Sequence, residues 1–108
     1  MDKISFEDFQ KIELRIGKIT SAEKVEKSDK LLKLEVDFGE EKRQVISGIA
    51  KEYSPEDLIG KSFVFVTNLE PRSIMGQESQ AMIIAADVEG KAVLIEPVKE
   101  TPAGTKLR

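Results

Sequence analysis

The sequence predicts an all-β fold, a small five-stranded Greek-key barrel with one short helix between its third and fourth strands and a C-terminal extension. Three observations carry this reading. Strict alternation runs from Leu32 to Phe38, with Leu32, Leu34, Val36 and Phe38 on one face and Lys33, Glu35 and Asp37 on the other, the period of a half-buried strand. Two later runs, "FVFV" (Phe63 to Val66) and "AMIIAA" (Ala81 to Ala86), are apolar at every position, as strands covered on both faces are. Between the third strand and the first of these runs stands one helix start, "SPED".

The elements follow in order. "SFED" (Ser5 to Asp8) caps a single helical turn, Ser5 accepting from an orphan amide and Asp8 standing at the third position. Ile12, Leu14 and Ile16 then alternate with Glu13 and Arg15, but Ile19 falls one place out of phase. Gly17 sits at the slip, which predicts a bulge or bend there that lets one long first strand serve two edges of the barrel. After the second strand, "FGEEKR" turns the chain through Gly39 and "QVISGI" (Gln44 to Ile49) returns as the third. In "YSPEDLIG", Ser54 is the N-cap, Pro55 the first helical residue, Asp57 the acidic third position and Gly60 the stop. "NLEPRSIMGQES" (Asn68 to Ser79) joins the fourth strand to the fifth as a loop. "DVEG" (Asp87 to Gly90) turns into "KAVLIEP", and "PAGTKLR" ends the chain. This is the element order of the oligonucleotide- and oligosaccharide-binding barrel, although other small barrels share it.

Composition bounds the function. At 108 residues the chain is read as one domain, residues 1–108, with 40% hydrophobic and 34% charged residues. It has no cysteine and no histidine, which removes disulfides, thiolate chemistry, a histidine base and the usual zinc sites. No calcium-loop spacing or glycosidase carboxylate pair is recognisable, and "ISGI" lacks the glycine-flanked serine of a hydrolase elbow. The reading is a binding domain, not an enzyme, with no cofactor and no metal. The N-terminus lacks the basic-then-apolar order of a signal peptide, and no apolar run nears the roughly 20 residues that span a bilayer. A cytoplasmic protein without a membrane partner is expected. Seventeen basic against 20 acidic residues give a net charge of −3, whereas nucleic-acid binders are more often basic. Where the charges stand decides more than their sum.

The motifs are more specific. "IELRIGKI" (Ile12 to Ile19), "SDKLLKLEVDFGEEKRQVISGI" (Ser28 to Ile49), "LIGKSFVFVTNLEPRSIMGQES" (Leu58 to Ser79), "AMIIAA" and "PAGTKL" occur in this order over nearly the whole chain. Together they resemble the tRNA-binding domain family found at the C-terminus of many methionyl-tRNA synthetases and as free-standing proteins. The resemblance implies a non-catalytic oligonucleotide-binding barrel that grips tRNA mainly by shape near its elbow. It also implies a homodimer to which the C-terminal segment contributes, and a link to a methionyl-tRNA synthetase subunit. Two positions depart from the pattern: Val25 and Glu26 replace a histidine-proline pair, and Ala81 replaces a glycine before Met82. The CsaA-type secretion chaperones share the fold and the opening "FEDFQKIELRIGKI". They supply the alternative function, a dimer that binds unfolded or presecretory polypeptides.

Eight residues are the candidate RNA contacts. Lys30, Lys33, Lys42 and Arg43 lie on or beside the second and third strands, the usual ligand face of such barrels, although Glu35 and Asp37 mix the charge there. Two roles fit Asn68: fixing its own turn, or bonding RNA. Arg72, held outward after Pro71, suits a phosphate grip or a stack on an unpaired base, against the plainer reading of a solvated turn residue. Met75 offers a flexible apolar contact to a base or a peptide, while Ile74 packs over the barrel end. Gly76 takes a positive torsion, and the Ser79 hydroxyl bonds either backbone or phosphate. Aromatic platforms are scarce, since Phe38 belongs to the inward set, which suits a folded RNA better than a long single strand.

Overall fold

The computed structural model describes residues 1–108. In chain order its elements are α1 (Phe6–Phe9), β1 (Leu14–Lys24), β2 (Leu32–Asp37), β3 (Lys42–Ser47), α2 (Pro55–Leu58), β4 (Ser62–Val66), β5 (Arg72–Ile74), β6 (Gln77–Ser79), β7 (Met82–Ile83), β8 (Ala85–Val88) and β9 (Lys91–Leu94). Five of them form one antiparallel sheet in the order β3-β2-β1-β4-β7, curled into a nearly closed barrel of the oligonucleotide-binding type. Between β3 and β7 the wall is closed by hydrogen bonds: the Gln80 amide donates to the Gln44 carbonyl at 2.8 Å, and the Gln44 amide to the Gln80 side-chain oxygen at 3.0 Å.

The long first strand does serve two edges. Leu14–Lys18 pair with β4, and Lys18–Lys24 with β2. The register slips between Ile19 and Ser21, so the bulge falls beside Thr20 and not at Gly17. Gly17 is required for space. A Cβ there would stand 2.5 Å from Val36, 2.7 Å from Phe38 and 2.9 Å from Phe65. The Phe38 and Phe65 rings meet edge to face at 5.3 Å, so the strand passes them as bare backbone. Ile16 and Ile19 look out of phase because both are buried, on opposite faces. Ile19 enters the main core; Ile16, opposite Val64 in the ladder, lies outside it. "FVFV" has two covered faces for the same reason, with Phe63 and Phe65 in the core cluster and Val64 and Val66 buried outside it.

Leu32, Leu34 and Val36 are fully buried, as their alternation requires, and Leu58 of α2 seals the cluster. Ser54 occupies the N-cap position without a side-chain bond, and Gly60 ends the turn with φ 86°. "AMIIAA" departs from its prediction. Ala81 and Ile83 are buried, but Met82, Ala85 and Ala86 are exposed. The run changes sheets at Ile84, whose amide bonds the Val64 carbonyl; β8 then leaves the barrel and pairs with β9 as a separate hairpin.

The C-terminal extension lies along β1. The Gly104 amide donates to the Ile16 carbonyl at 2.7 Å, the Ile16 amide to Thr105 at 2.9 Å, and the Leu107 amide to Leu14 at 2.8 Å. The tail thus satisfies the stretch of β1 that β2 does not reach.

Candidate nucleic-acid interface

The outer face of β2 and β3 carries a shallow groove of about 330 Å³, whose lining includes Glu23, Lys33, Glu35, Lys42, Arg43 and Gln44. Register sets the charges. Lys33 lies opposite Glu23 on β1, and Asp37 opposite Lys42 on β3. The Lys33 amine stands 3.8 Å from Glu23, and that of Lys42 3.8 Å from Glu35. Such exposed pairs are weak, so either lysine can turn to a phosphate. Arg43 cannot do so as easily. Its guanidinium pairs with Glu41, donates to the carbonyls of Thr67 and Gln80, and lies 5.6 Å from the Phe38 ring centre. The structure commits it to the end of the barrel.

Asn68 is committed as well. Its Oδ1 accepts from the Glu13 amide at 2.8 Å and its Nδ2 donates to the Lys11 carbonyl at 2.6 Å, tying the exit of β4 to the entry of β1. The Glu13 carboxylate accepts from Arg15 Nε at 2.9 Å and from the Thr67 hydroxyl at 2.6 Å. Those two bonds hold its pKa down at about 2. Arg15 in turn donates to the Gly104 carbonyl at 2.8 Å, so this network joins the chain start, the end of β4 and the tail.

The stretch predicted as a loop is a hairpin. β5 and β6 pair from Arg72 opposite Ser79 to Ile74 opposite Gln77, leaving Met75 and Gly76 as a two-residue turn. Both have positive φ, 49° and 77°, the pattern of a type I′ turn. The hairpin packs beside β3: Gln44 Nε2 donates to the Glu78 carbonyl at 2.8 Å, and the buried Ser79 hydroxyl accepts from the Ile46 amide at 3.0 Å while donating to Ala81 at 2.9 Å. Ser79 therefore serves backbone. Between hairpin and β3 lies a small cleft of about 60 Å³ lined by Ile46, Leu69, Arg72, Ile74, Ala81 and Met82. Arg72 is exposed, and neither a carboxylate nor a carbonyl holds its guanidinium. Met75 projects at the tip, 61% exposed.

Lys30 lies in the turn between β1 and β2, away from the hairpin along the chain but at the end of the same face. Ser28 accepts from the Lys30 and Leu31 amides, and the Lys30 carbonyl accepts from Ala50, so the turn is fixed while the amine is exposed and unpaired. Lys24 and Lys27 share that state, and sequence reasoning missed both. Their signal is a lysine at every third residue of "EKVEKSDK", masked by the interleaved Glu23, Glu26 and Asp29. Lys51 of the neighbouring loop reaches Asp29 at 3.9 Å. No group of three or more acidic side chains is placed to hold a metal.

Comparison with known proteins places this geometry. Residues 14–106 match the family model described as "Putative tRNA binding domain". The chain is 54% identical over 106 residues to methionine–tRNA ligase of Archaeoglobus fulgidus, covering 98% of itself but only 16% of that enzyme. Its fold matches the crystal structure of a MetRS-related protein from Pyrococcus horikoshii at a TM-score of 0.95 and 41% identity, with both chains covered in full. It also matches chaperone CsaA from Bacillus anthracis at a TM-score of 0.90 and 38% identity, over 99% of this chain and 100% of that one. The chain belongs to the tRNA-binding domain family, as a barrel domain homologous both to the module carried by methionyl-tRNA synthetases and to the CsaA-type chaperones.

Proposed function

We propose that this domain binds tRNA in the cytoplasm by shape and phosphate contacts, acts as a homodimer, and delivers tRNA to a methionyl-tRNA synthetase. The observation that carries this reading is the placement of unpaired cations around a charge-mixed groove. Lys24, Lys27 and Lys30 stand at one end of the β2–β3 face and Arg72 along its β3 side, while Lys33 and Lys42 between them are held only by long, exposed ion pairs. A folded RNA with phosphates on two sides of a ridge fits such spacing, whereas a single strand would want aromatic platforms within the groove. Of the eight sequence candidates, Lys30, Lys33, Lys42, Arg72 and Met75 remain available to a ligand, and Arg43, Asn68 and Ser79 hold the framework.

The second reading, capture of unfolded polypeptide, is favoured by one feature, the apolar cleft beside the hairpin. Arg72→Ala tests the phosphate contact of the first reading. Its removal leaves the fold intact, with stability within about 0.5 kcal/mol of wild type as for ordinary surface changes. Titrating intact tRNA at several salt concentrations, we expect weaker binding and a salt slope reduced by roughly one counterion. Unchanged affinity and slope in a folded variant would remove Arg72 from the interface.

A further inference from the structure

Three residues other than glycine have positive φ: Lys27, Met75 and Glu89. Met75 and Glu89 hold equivalent places. Each is the first residue of a two-residue hairpin turn completed by glycine, Met75–Gly76 at 49° and 77°, Glu89–Gly90 at 52° and 84°. Type I′ turns favour asparagine, aspartate or glycine there, because other side chains crowd the backbone in the left-handed region. In β8–β9 the neighbouring Asp87 carboxylate steadies the turn by accepting from the Gly90 amide at 2.8 Å. No side-chain bond supports the β5–β6 turn. Methionine therefore sits in an unfavourable conformation, at an exposed tip, without local compensation.

We propose that Met75 is an apolar contact for nucleic acid: its thioether lies against the face of an unstacked or terminal base while Arg72, two residues before the turn strand ends, takes an adjacent phosphate. This rests on the tRNA reading and specifies how one part of that surface acts. The chemistry suits the position. An unbranched polarizable side chain packs on a ring face without a fixed shape, and apolar side chains including methionine serve as wedges at base steps. The Arg72 guanidinium on the same hairpin has no ion-pair partner and is free to grip a phosphate, although Glu78, opposite Ser73, offsets its charge.

Met75→Asn tests it, since asparagine relieves the turn and removes the apolar tip at once. Its thermal midpoint should equal or exceed that of wild type, as should that of Glu89→Asn, a backbone control. Affinity for intact tRNA should fall about fivefold, the scale of one methionine–ring contact, with an unchanged salt slope. Met75→Leu should retain most of the binding. Wild-type binding of tRNA with Met75→Asn equal to it would overturn the inference and leave the tRNA reading standing. Failure of wild type to bind tRNA would end both. Loss of binding to a reduced, unfolded polypeptide, with tRNA binding kept, would also overturn it and assign the tip to peptide.

Discussion

Glu13 shows how far a residue's role can lie from its sequence neighbourhood. Its alternation with Ile12 and Leu14 marks it as an outward strand residue, yet its carboxylate accepts from both Arg15 and Thr67, and its backbone amide is held by Asn68. Asn68 and Thr67 come from more than 50 residues away, so no local pattern announces the network. Asn68 and Ser79 were legible as polar residues at strand ends, but the backbone partners each holds, Glu13 and Lys11 for Asn68 and Ile46 for Ser79, come together only with the fold. Arg72 was legible as an outward residue from Pro71 before it, and it is exposed. Because the Glu13 pKa is depressed from 4.5 to about 2, the stability that its ionised form provides is present above the unfolded value and is lost as pH falls toward 2. We expect the thermal midpoint of wild type to fall more steeply between pH 4.5 and 2 than that of Glu13→Gln, and the variant to be the less stable near neutrality. Parallel melting curves across that range would contradict the network.

Elements whose sequence period matches their burial were readable. β2 is half-buried and alternates; α2 carries proline at its start and glycine at its stop; β4 is covered on both faces and is apolar from Phe63 to Val66. The misses share a cause, a local rule overridden by tertiary contact. Gly17 resembled a bulge signal but clears two aromatic rings, and "AMIIAA" read as one strand because its change of sheets leaves no mark in hydropathy. The β5–β6 hairpin was hidden because Met75 replaces the asparagine or aspartate that announces a type I′ turn. The tail is held by a similar close approach. Gly104 has φ 88°, and a Cβ on it would stand 2.1 Å from the Phe38 carbonyl oxygen. Gly104→Ala must therefore both strain its backbone and push the tail from β1, at a cost of about 1–3 kcal/mol. Urea unfolding reads this directly; a midpoint equal to wild type would show that the tail does not depend on that contact.

At the scale of the whole molecule, net charge and exposed apolar surface point to different partners. A total of −3 conceals a face on which Lys24, Lys27, Lys30 and Arg72 are unpaired; Glu23 and Glu35 there are paired with Lys33 and Lys42, while Glu26 stands exposed among the lysines. Apolar side chains are exposed in two further groups: Ile4, Phe6, Phe9 and Ile12 around α1, and Val88, Val93, Ile95 and Val98 along the β8–β9 hairpin and beyond. Surface of this kind in addition to the groove supports the proposed homodimer, which would present two tRNA surfaces at once. Light scattering at micromolar concentration should give twice 12.1 kDa, and a mass of one chain would exclude it. The central claim is that the ligand is folded tRNA. Its most direct test is equilibrium binding of the purified protein, at one stated salt concentration, to intact tRNA, to a scrambled RNA of equal length and to a reduced, unfolded polypeptide. The account predicts tightest binding to intact tRNA, weaker binding to the scrambled RNA and little to the polypeptide; preference for the polypeptide, or equal affinity for the two RNAs, would contradict it.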